Sequence, residues 1–171
     1  MTEKSKPMVA PIGVQPEMAY NIAGGVLRGR IDGVSFVASA GSGGRAGSKT
    51  PGAVNWWLAN NPLATGVRTP KDESRAGGPL PMGIYRVVPH EHHADRLRLL
   101  PLDPAAMQGR HSMQIHGRGK HGSFGCIVPT DFNNVLLICK LVRARVARGG
   151  KPVHLRVFAE GTDLDLQNRT A

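Results

Sequence analysis

The chain has 171 residues, of which 40% are apolar, and this length predicts one folded domain with a core of its own. No uninterrupted run of about 18 apolar residues is present, which excludes a membrane-spanning helix. The first residues also lack the apolar stretch of a secretory signal peptide. The 22 glycines and 13 prolines favour a loop-rich, mainly β protein over a helical bundle.

The chain is strongly basic: it has 22 Lys and Arg residues and 12 Asp and Glu residues, which gives a net charge of +10. Such a balance predicts attraction to polyanions, namely nucleic acid, anionic lipid or an acidic cell-wall polymer. The sequence carries no RNA-binding or zinc-finger signature and few aromatic residues for base stacking, so nucleic acid is the less favoured partner. The two cysteines lack paired spacing, which argues against a structural disulfide.

The elements predicted along the chain are mostly strands. Residues 1–18 lack a hydrophobic period and predict a flexible leader, residues 19–160 form the folded domain, and residues 161–171 predict a loose tail. A turn-rich stretch at 30–33 joins the first two strands into a hairpin, and a Gly/Ser loop runs from 41 to 51. The predicted strands are 26–28, 34–38, 83–88, 96–100, 112–116 and 153–158.

One amphipathic helix is predicted to begin after Thr130 or Asp131, either of which can cap it, and to end at Gly149 and Gly150. Cys139 falls on the apolar face of this helix, so we expect it to be a core residue and not a nucleophile. The apolar positions that follow the helical period are Val135, Leu136, Ile138, Cys139, Val142 and Val146.

The segment from His116 to Cys126 carries the candidate chemistry. A thiol attacks only as the thiolate, and therefore it needs a neighbouring base or cation that lowers its pKa. A Gly-rich loop of this length can bring His116 against the Cys126 sulfur, and the amides around Gly125 and Cys126 are candidates for an oxyanion hole. Arg118 and Lys120 add positive potential that favours a thiolate and an anionic substrate. From spacing alone, a small buried cysteine in a turn is the competing interpretation.

Two motifs resemble those of the L,D-transpeptidases of the YkuD type. His116 followed by residues 122–127 is similar to the family's His…Ser-x-Gly-Cys signature, and residues 78–85 are similar to a Gly-Pro-Ile-Pro-x-Gly-x-Tyr motif of one branch. That branch contains the type VI secretion L,D-transpeptidase effectors, small toxins injected into rival bacteria. The likeness covers roughly residues 20–158, and the ten-residue spacing from His116 to Cys126 fits this branch.

The resemblance implies a mainly β fold, a YkuD-like sandwich of two sheets with one helix after the nucleophile loop. It also implies acyl transfer on the stem peptides of peptidoglycan, with no cofactor and no metal. Cys126 would attack the carbonyl of the third residue, a diaminopimelate, and expel the terminal D-alanine, while His116 takes the thiol proton and later protonates the leaving amine. Water would then give L,D-carboxypeptidase activity, and a second amine would give exchange or cross-linking.

Further residues are assigned by the resemblance less directly. Ser123 either steadies the loop or contacts the substrate, with a purely structural turn as the equal alternative. His121 is a second candidate base or substrate contact, and Tyr85 of the upstream motif is a further substrate contact. Housekeeping members carry an arginine shortly after the cysteine, where this chain has Ile-Val-Pro. We therefore expect Arg118 or Lys120 to bind the substrate carboxylate.

The absence of a signal peptide fits a toxin that a specialised secretion system delivers to the periplasm of a target cell, where a cognate immunity protein would neutralise it. A papain-like peptidase of the NlpC/P60 sort is disfavoured, because those enzymes place the cysteine before the histidine. The remaining alternative is a basic, non-enzymatic module that binds nucleic acid or a cell-wall polymer.

Two other groups of side chains invite a functional interpretation. His90 and His92 would share a face of a strand, but two ligands are too few for a zinc site, so a solvated loop is expected there. Trp56 and Trp57 either cover a sugar or fill the core. The core is favoured, with one indole inside and the other outside.

Overall fold

The computed structural model describes residues 13–160, in which eight strands and one long helix enclose the core. Of the predicted leader and tail, residues 1–12 and 161–171 lie outside the described residues, and the first strand begins at Met18. The elements are β1 (Met18–Asn21), β2 (Val26–Ile31), β3 (Val34–Ser42), β4 (Gly83–Pro89), β5 (Leu97–Pro101), β6 (Gln114–Ile115), β7 (Ile127–Pro129), α1 (Phe132–Ala147) and β8 (Val153–Phe158), with short 3-10 helices at Pro62–Ala64 and Pro104–Met107.

The strands close into a single barrel in the order β1-β2-β3-β7-β6-β5-β4-β8. Neighbouring strands are antiparallel, except that β1 with β8 and β6 with β7 are parallel. The prediction of a mainly β fold with one helix is confirmed. One closed sheet replaces the two packed sheets that were expected, because β3 pairs with β2 over 34–39 and then with β7 over 40–42, while β8 pairs with both β1 and β4.

Alternate residues of the strands fill the barrel, since successive side chains of a strand point to opposite faces. The largest buried side chains on the strands are Met18, Tyr20, Leu27, Ile31, Tyr85, Leu97, Ile115, Ile127 and Leu155. Helix α1 adds a buried stripe made of Val135, Ile138, Cys139 and Val142. The prediction that Cys139 is a core residue is therefore confirmed.

Helix α1 begins where the sequence predicted, and Asp131 supplies the cap: its carboxylate accepts a hydrogen bond of 2.9 Å from the Asn133 amide. The prediction of the apolar face is wrong for two residues, Leu136 and Val146. Leu136 is 46% exposed because it lies about 100° around the helix from Val135, away from the buried stripe. Val146 is 51% exposed because it belongs to the last turn of the helix.

The hairpin between β2 and β3 has a tighter turn than predicted. Only Asp32 and Gly33 form it, with φ of 50° and 83°, the left-handed pair that suits the twist of a two-residue hairpin. Arg30 and Ile31, which were predicted in the turn, continue β2. The predicted strand 112–116 shrinks to the two residues of β6, and the short strands β1 and β7 were not predicted.

The loop between β3 and β4 contains both tryptophans, and the prediction that one of the two indoles lies in the core is wrong. Trp56 is 80% exposed and Trp57 is 62% exposed. Within residues 13–160, no helix has the length and apolarity needed to cross a bilayer.

Substitution of the helix cap tests this description. Asp131→Ala removes the acceptor for the Asn133 amide, and we expect it to lower the free energy of unfolding by about 1 kcal/mol in urea titrations. Thr130→Ala is the matched control, because the Thr130 amide donates to the Ser39 carbonyl and its side chain does not cap the helix. Equal losses in both variants would contradict the assignment of the cap.

Candidate functional site

The parallel pairing of β6 with β7 places the two candidate catalytic residues. Ile115 and Ile127 are register partners and both are fully buried in the core. His116 directly follows Ile115 and Cys126 directly precedes Ile127, so alternation turns both side chains away from the core. The His116 amide donates to the Ile127 carbonyl over 3.2 Å, which holds the two strand ends together.

His116 and Cys126 line one cleft of about 470 Å³. Its walls come from three loops: the segment after the 3-10 helix Pro62–Ala64, the segment that leads into β6, and the loop that precedes β7. The sequence predicted that the Gly-rich loop would bring these two side chains to the same place, and the shared cleft is consistent with that arrangement.

The orientation of the His116 ring follows from its hydrogen bond. Nδ1 lies 2.7 Å from the Gly117 carbonyl, which can only accept, so Nδ1 carries the proton and Nε2 keeps its lone pair. Burial lowers the pKa of His116, and Arg96 lowers it further, against the opposing effects of the Gly117 bond and Asp95. The imidazole is therefore neutral at neutral pH and able to accept a proton.

The thiol of Cys126 is also uncharged at rest. Burial raises its pKa, and this effect outweighs hydrogen bonding from the Gln114 backbone and the charges of Arg110 and Arg96, all of which lower it. A protonated thiol needs a base before it can attack, and the neutral imidazole at the same cleft is the candidate. Cys139 is a contrast, because burial raises its pKa to about 11 and it lies in the core.

Ser123 holds the backbone of the loop before β7. Its hydroxyl donates to the Cys126 carbonyl and accepts the Gly43 amide (2.9 Å) and the Gly125 amide (3.1 Å). Because Ser123 is fully buried, its side chain positions the cysteine and does not reach a substrate. The Gly125 amide is thus occupied, which removes it from the expected oxyanion hole and leaves the Cys126 amide there.

The backbone conformation and the close neighbours of residue 125 require a glycine at this position. Its φ of 139° is one that L side chains rarely adopt, and an added Cβ would lie 2.4 Å from Nη2 of Arg110 and 2.9 Å from the sulfur of Met113. The Ser42 hydroxyl also holds Gly125 in place: it donates to the Gly125 carbonyl (3.0 Å) and accepts a hydrogen bond from the Leu80 amide (2.9 Å). The motif at 78–85 and the cysteine loop are in this way joined through β3.

Arg110 is a buried cation that the sequence did not single out. Its guanidinium donates to four backbone carbonyls, those of Thr65 (2.6 Å), Pro79 (2.5 Å), Gly78 (2.7 Å) and Phe124 (3.0 Å). It therefore fastens three loops around the cleft and lowers the pKa of the Cys126 thiol. No local pattern marks this arginine, because its partners are backbone atoms that lie far away along the chain.

The residues predicted to bind substrate are placed differently. Tyr85 is a core residue whose hydroxyl donates to the Pro81 carbonyl over 2.6 Å, so its predicted contact with substrate is wrong. Lys120 and His121 are exposed and do not line the cleft of Cys126. Arg118 lines an adjoining cleft of about 380 Å³, which it shares with His116.

Basic residues that were not predicted from the sequence line the thiol cleft instead. Arg68, Lys71 and His111 belong to its walls. The guanidinium of Arg68 lies over Gly109, where an added Cβ would meet it at 2.7 Å. The only signal for them in the sequence is the charged stretch that begins at Lys71.

The histidines between β4 and β5 form a local cluster. His90 is buried, its ring lies 4.8 Å from that of His93, and its Nδ1 accepts the His92 amide over 3.1 Å. Among the described residues, no three His, Cys, Asp or Glu side chains converge as metal ligands do. The contacts within this cluster account for the buried ring without a ligand.

Removal of the Ser123 hydroxyl tests the account of the loop. Ser123→Ala leaves the amides of Gly43 and Gly125 without their acceptor in a buried place, and we expect a loss of about 2 kcal/mol in the free energy of unfolding. Ser35→Ala, at an exposed position of β3, is the control and should change the free energy of unfolding little. A stability of Ser123→Ala equal to that of the control would show that the hydroxyl does not hold the loop.

No protein-family model, no curated protein and no solved structure matches the chain. Its function must therefore be argued from the cleft and from the two sequence motifs.

Proposed function

We propose that the protein is a cysteine-dependent L,D-carboxypeptidase/L,D-transpeptidase that acts on peptidoglycan stem peptides. One observation carries the proposal: Cys126 and His116 line one cleft, and the imidazole presents its unprotonated nitrogen because Nδ1 donates to the Gly117 carbonyl. The same two residues supply the cysteine and histidine of the YkuD-type signature. A thiol, a base oriented by a fixed acceptor, and a cleft are the parts that nucleophilic acyl transfer needs.

The first half of the reaction makes a thioester. His116 Nε2 takes the proton of the Cys126 thiol as sulfur bonds to the carbonyl carbon of the third stem residue, a diaminopimelate. The negative charge that develops on the carbonyl oxygen is stabilised by the Cys126 amide and by the nearby buried charge of Arg110. As the peptide C–N bond breaks, the imidazolium returns the proton to the leaving amine, and D-alanine departs.

The second half releases the enzyme. Water, deprotonated by His116, attacks the thioester and leaves a tripeptide, which is carboxypeptidase activity. An amine that attacks instead, such as that of a free D-amino acid or another stem peptide, gives exchange or a cross-link. In both cases the proton taken from the nucleophile goes back to the Cys126 sulfur, so the cycle closes without a cofactor.

Positive charge at the cleft supports a substrate with a free carboxylate. Arg68 and Lys71 line its wall together with one carboxylate, that of Glu73, and Arg118 lines the adjoining cleft beside His116. These cations occupy the role that an arginine after the cysteine has in housekeeping members. Lys120 and His121 do not line the cleft of Cys126, and we therefore do not assign them that contact.

We also propose that the barrel belongs to the YkuD type of fold and that the protein is an antibacterial effector with a cognate immunity protein. The nucleophile immediately before a short buried strand, followed by the one helix, supports the first proposal. The motif at 78–85 supports the second. Production of the protein in the periplasm of a susceptible bacterium should lyse it, whereas production in the cytoplasm should not.

The charge of +10 favours a second candidate, a basic module that binds nucleic acid or a cell-wall polymer without catalysis. The two functions differ in what the thiol contributes. Binding would survive Cys126→Ala and weaken steeply with salt, while catalysis would be lost in that variant.

Mass spectrometry of stem peptides provides the test. Incubation of a purified tetrapeptide muropeptide with the wild type should release D-alanine, and Cys126→Ala or His116→Ala should reduce the rate by at least about 100-fold because attack needs both thiol and base. His121→Ala is the matched control, since this exposed imidazole lies outside the cleft and should leave the rate unchanged. Identical product profiles for wild type and Cys126→Ala would refute the enzymatic function.

The pKa directions predict the pH profile. Because burial lowers the pKa of His116 from its ordinary value of 6.5, the acidic limb of the kcat/KM profile, where the base becomes protonated, should have its midpoint below pH 6.5. Because burial raises the pKa of Cys126 from its ordinary value of 9.0, its alkylation by iodoacetamide should keep accelerating above pH 9. An acidic midpoint at or above pH 6.5, or a thiol fully reactive at pH 7, would contradict this electrostatic account.

A further inference from the structure

Trp56 and Trp57 are the only tryptophans of the chain, and both are exposed, by 80% and 62%. Each indole offers on the order of 150–250 Å² of largely apolar surface. Neighbouring large apolar side chains exposed together usually mark a binding surface, whereas isolated ones need no explanation. Neither tryptophan lines the thiol cleft.

The loop that carries the tryptophans is held in place by hydrogen bonds. The Trp57 amide donates to Oδ1 of Asn55 (3.0 Å), and the Trp57 carbonyl accepts from Nδ2 of Asn61 (2.7 Å). The Asn55 amide in turn donates to the Gly44 carbonyl (2.7 Å). The two indoles are thus presented from a fixed backbone, which reduces the conformational entropy that a ligand must overcome.

A groove of about 930 Å³ lies beside them, twice the volume of the thiol cleft. Much of its lining consists of residues with no side chain or a single methyl group, which leaves room for a broad ligand. Ser39 and Thr130 add hydroxyl groups to the wall. The small residues include Gly24, Gly25, Ala40, Gly41, Ala46 and Gly47.

The groove continues towards the thiol. Arg118 and Thr130 line both the groove and the cleft of about 380 Å³, and that cleft shares His116 with the cleft of Cys126. The loop after β3 and the loop between β6 and β7 are joined there by the Lys49 amide, which donates to the Gly119 carbonyl (2.8 Å). Because consecutive clefts share lining residues, one extended ligand that follows them would contact both the tryptophans and the cleft of Cys126.

We propose that this tryptophan groove binds the glycan strand of the polymer whose stem peptide enters the thiol cleft, an inference that rests on the proposed function for its substrate. A pyranose ring has a face of C–H groups, which stacks on an indole, and a rim of hydroxyl and amide groups, which bonds to polar side chains such as Ser39 and Thr130. An amino-sugar polysaccharide fits both features of the groove.

The charges of the groove favour this occupant over the other polymers that attract a basic protein. Among the described residues that line it, Arg118 alone is charged. A nucleic acid strand would need a row of cations along its phosphates, and an anionic membrane would need them around a protruding apolar surface. A neutral glycan needs neither.

Fluorescence provides a direct assay, because all tryptophan emission comes from the groove. Titration with the tetramer of N-acetylglucosamine, a glycan without peptide, should shift or quench the emission of the wild type, with little dependence on salt. Trp56→Ala and Trp57→Ala should each weaken binding about tenfold, and calorimetry of the double variant should detect none. Leu63→Ala is the control, as this leucine is 62% exposed outside the groove and should not alter binding.

Activity separates this inference from the proposed function. Trp56→Ala/Trp57→Ala should release D-alanine from a soluble tetrapeptide at the wild-type rate and from intact sacculi about tenfold more slowly. If the wild type releases no D-alanine from either substrate but still binds the tetramer, the enzymatic function is refuted and the glycan groove is still supported. Wild-type affinity of the double variant for the tetramer, or emission that responds to single-stranded DNA or anionic vesicles and not to the tetramer, would overturn the glycan groove.

Discussion

The parallel ladder between β6 and β7 is the constraint on which the rest of the site depends. Its register partners Ile115 and Ile127 are buried, so His116, which follows the first, and Cys126, which precedes the second, both lie on the outward face of the sheet. Strands of two and three residues cannot hold themselves together. The ladder exists because β5 and β3 pair with its outer edges and the whole sheet closes.

Buried polar groups hold the loops around the thiol in place. Ser42, Ser123 and Arg110 together bond the carbonyls and amides of the loops around the thiol, and each has its partners within the fold. Inside a protein such a network is rigid when every member is satisfied and costly when one is removed. Arg110 adds an electrostatic effect, because a buried guanidinium paired only with carbonyl dipoles leaves its positive charge uncompensated near the sulfur.

The thiol and the imidazole of the site are both uncharged at rest, since burial raises the pKa of the thiol and lowers that of the imidazole. In the proposed reaction, a thiolate–imidazolium pair would form only as attack begins. A neutral resting thiol is less exposed to oxidation and stray electrophiles, since the thiolate is the reactive form. The cleft between this site and the tryptophan groove shares lining residues with both, which is the basis for the proposed polymeric substrate.

Local patterns in the sequence determined the mainly β class, the long helix with its start and end, the strands β4 and β8, and the roles suggested for His116, Cys126 and Cys139. These depend on periodicity, caps and short motifs, which neighbouring residues encode. Only the tertiary structure decided that one sheet closes into a barrel, that Tyr85 lies in the core, that Arg110 fastens the loops, and that both tryptophans face outward. Those outcomes depend on pairings between segments far apart along the chain, whose burial and hydrogen bonds no local pattern records.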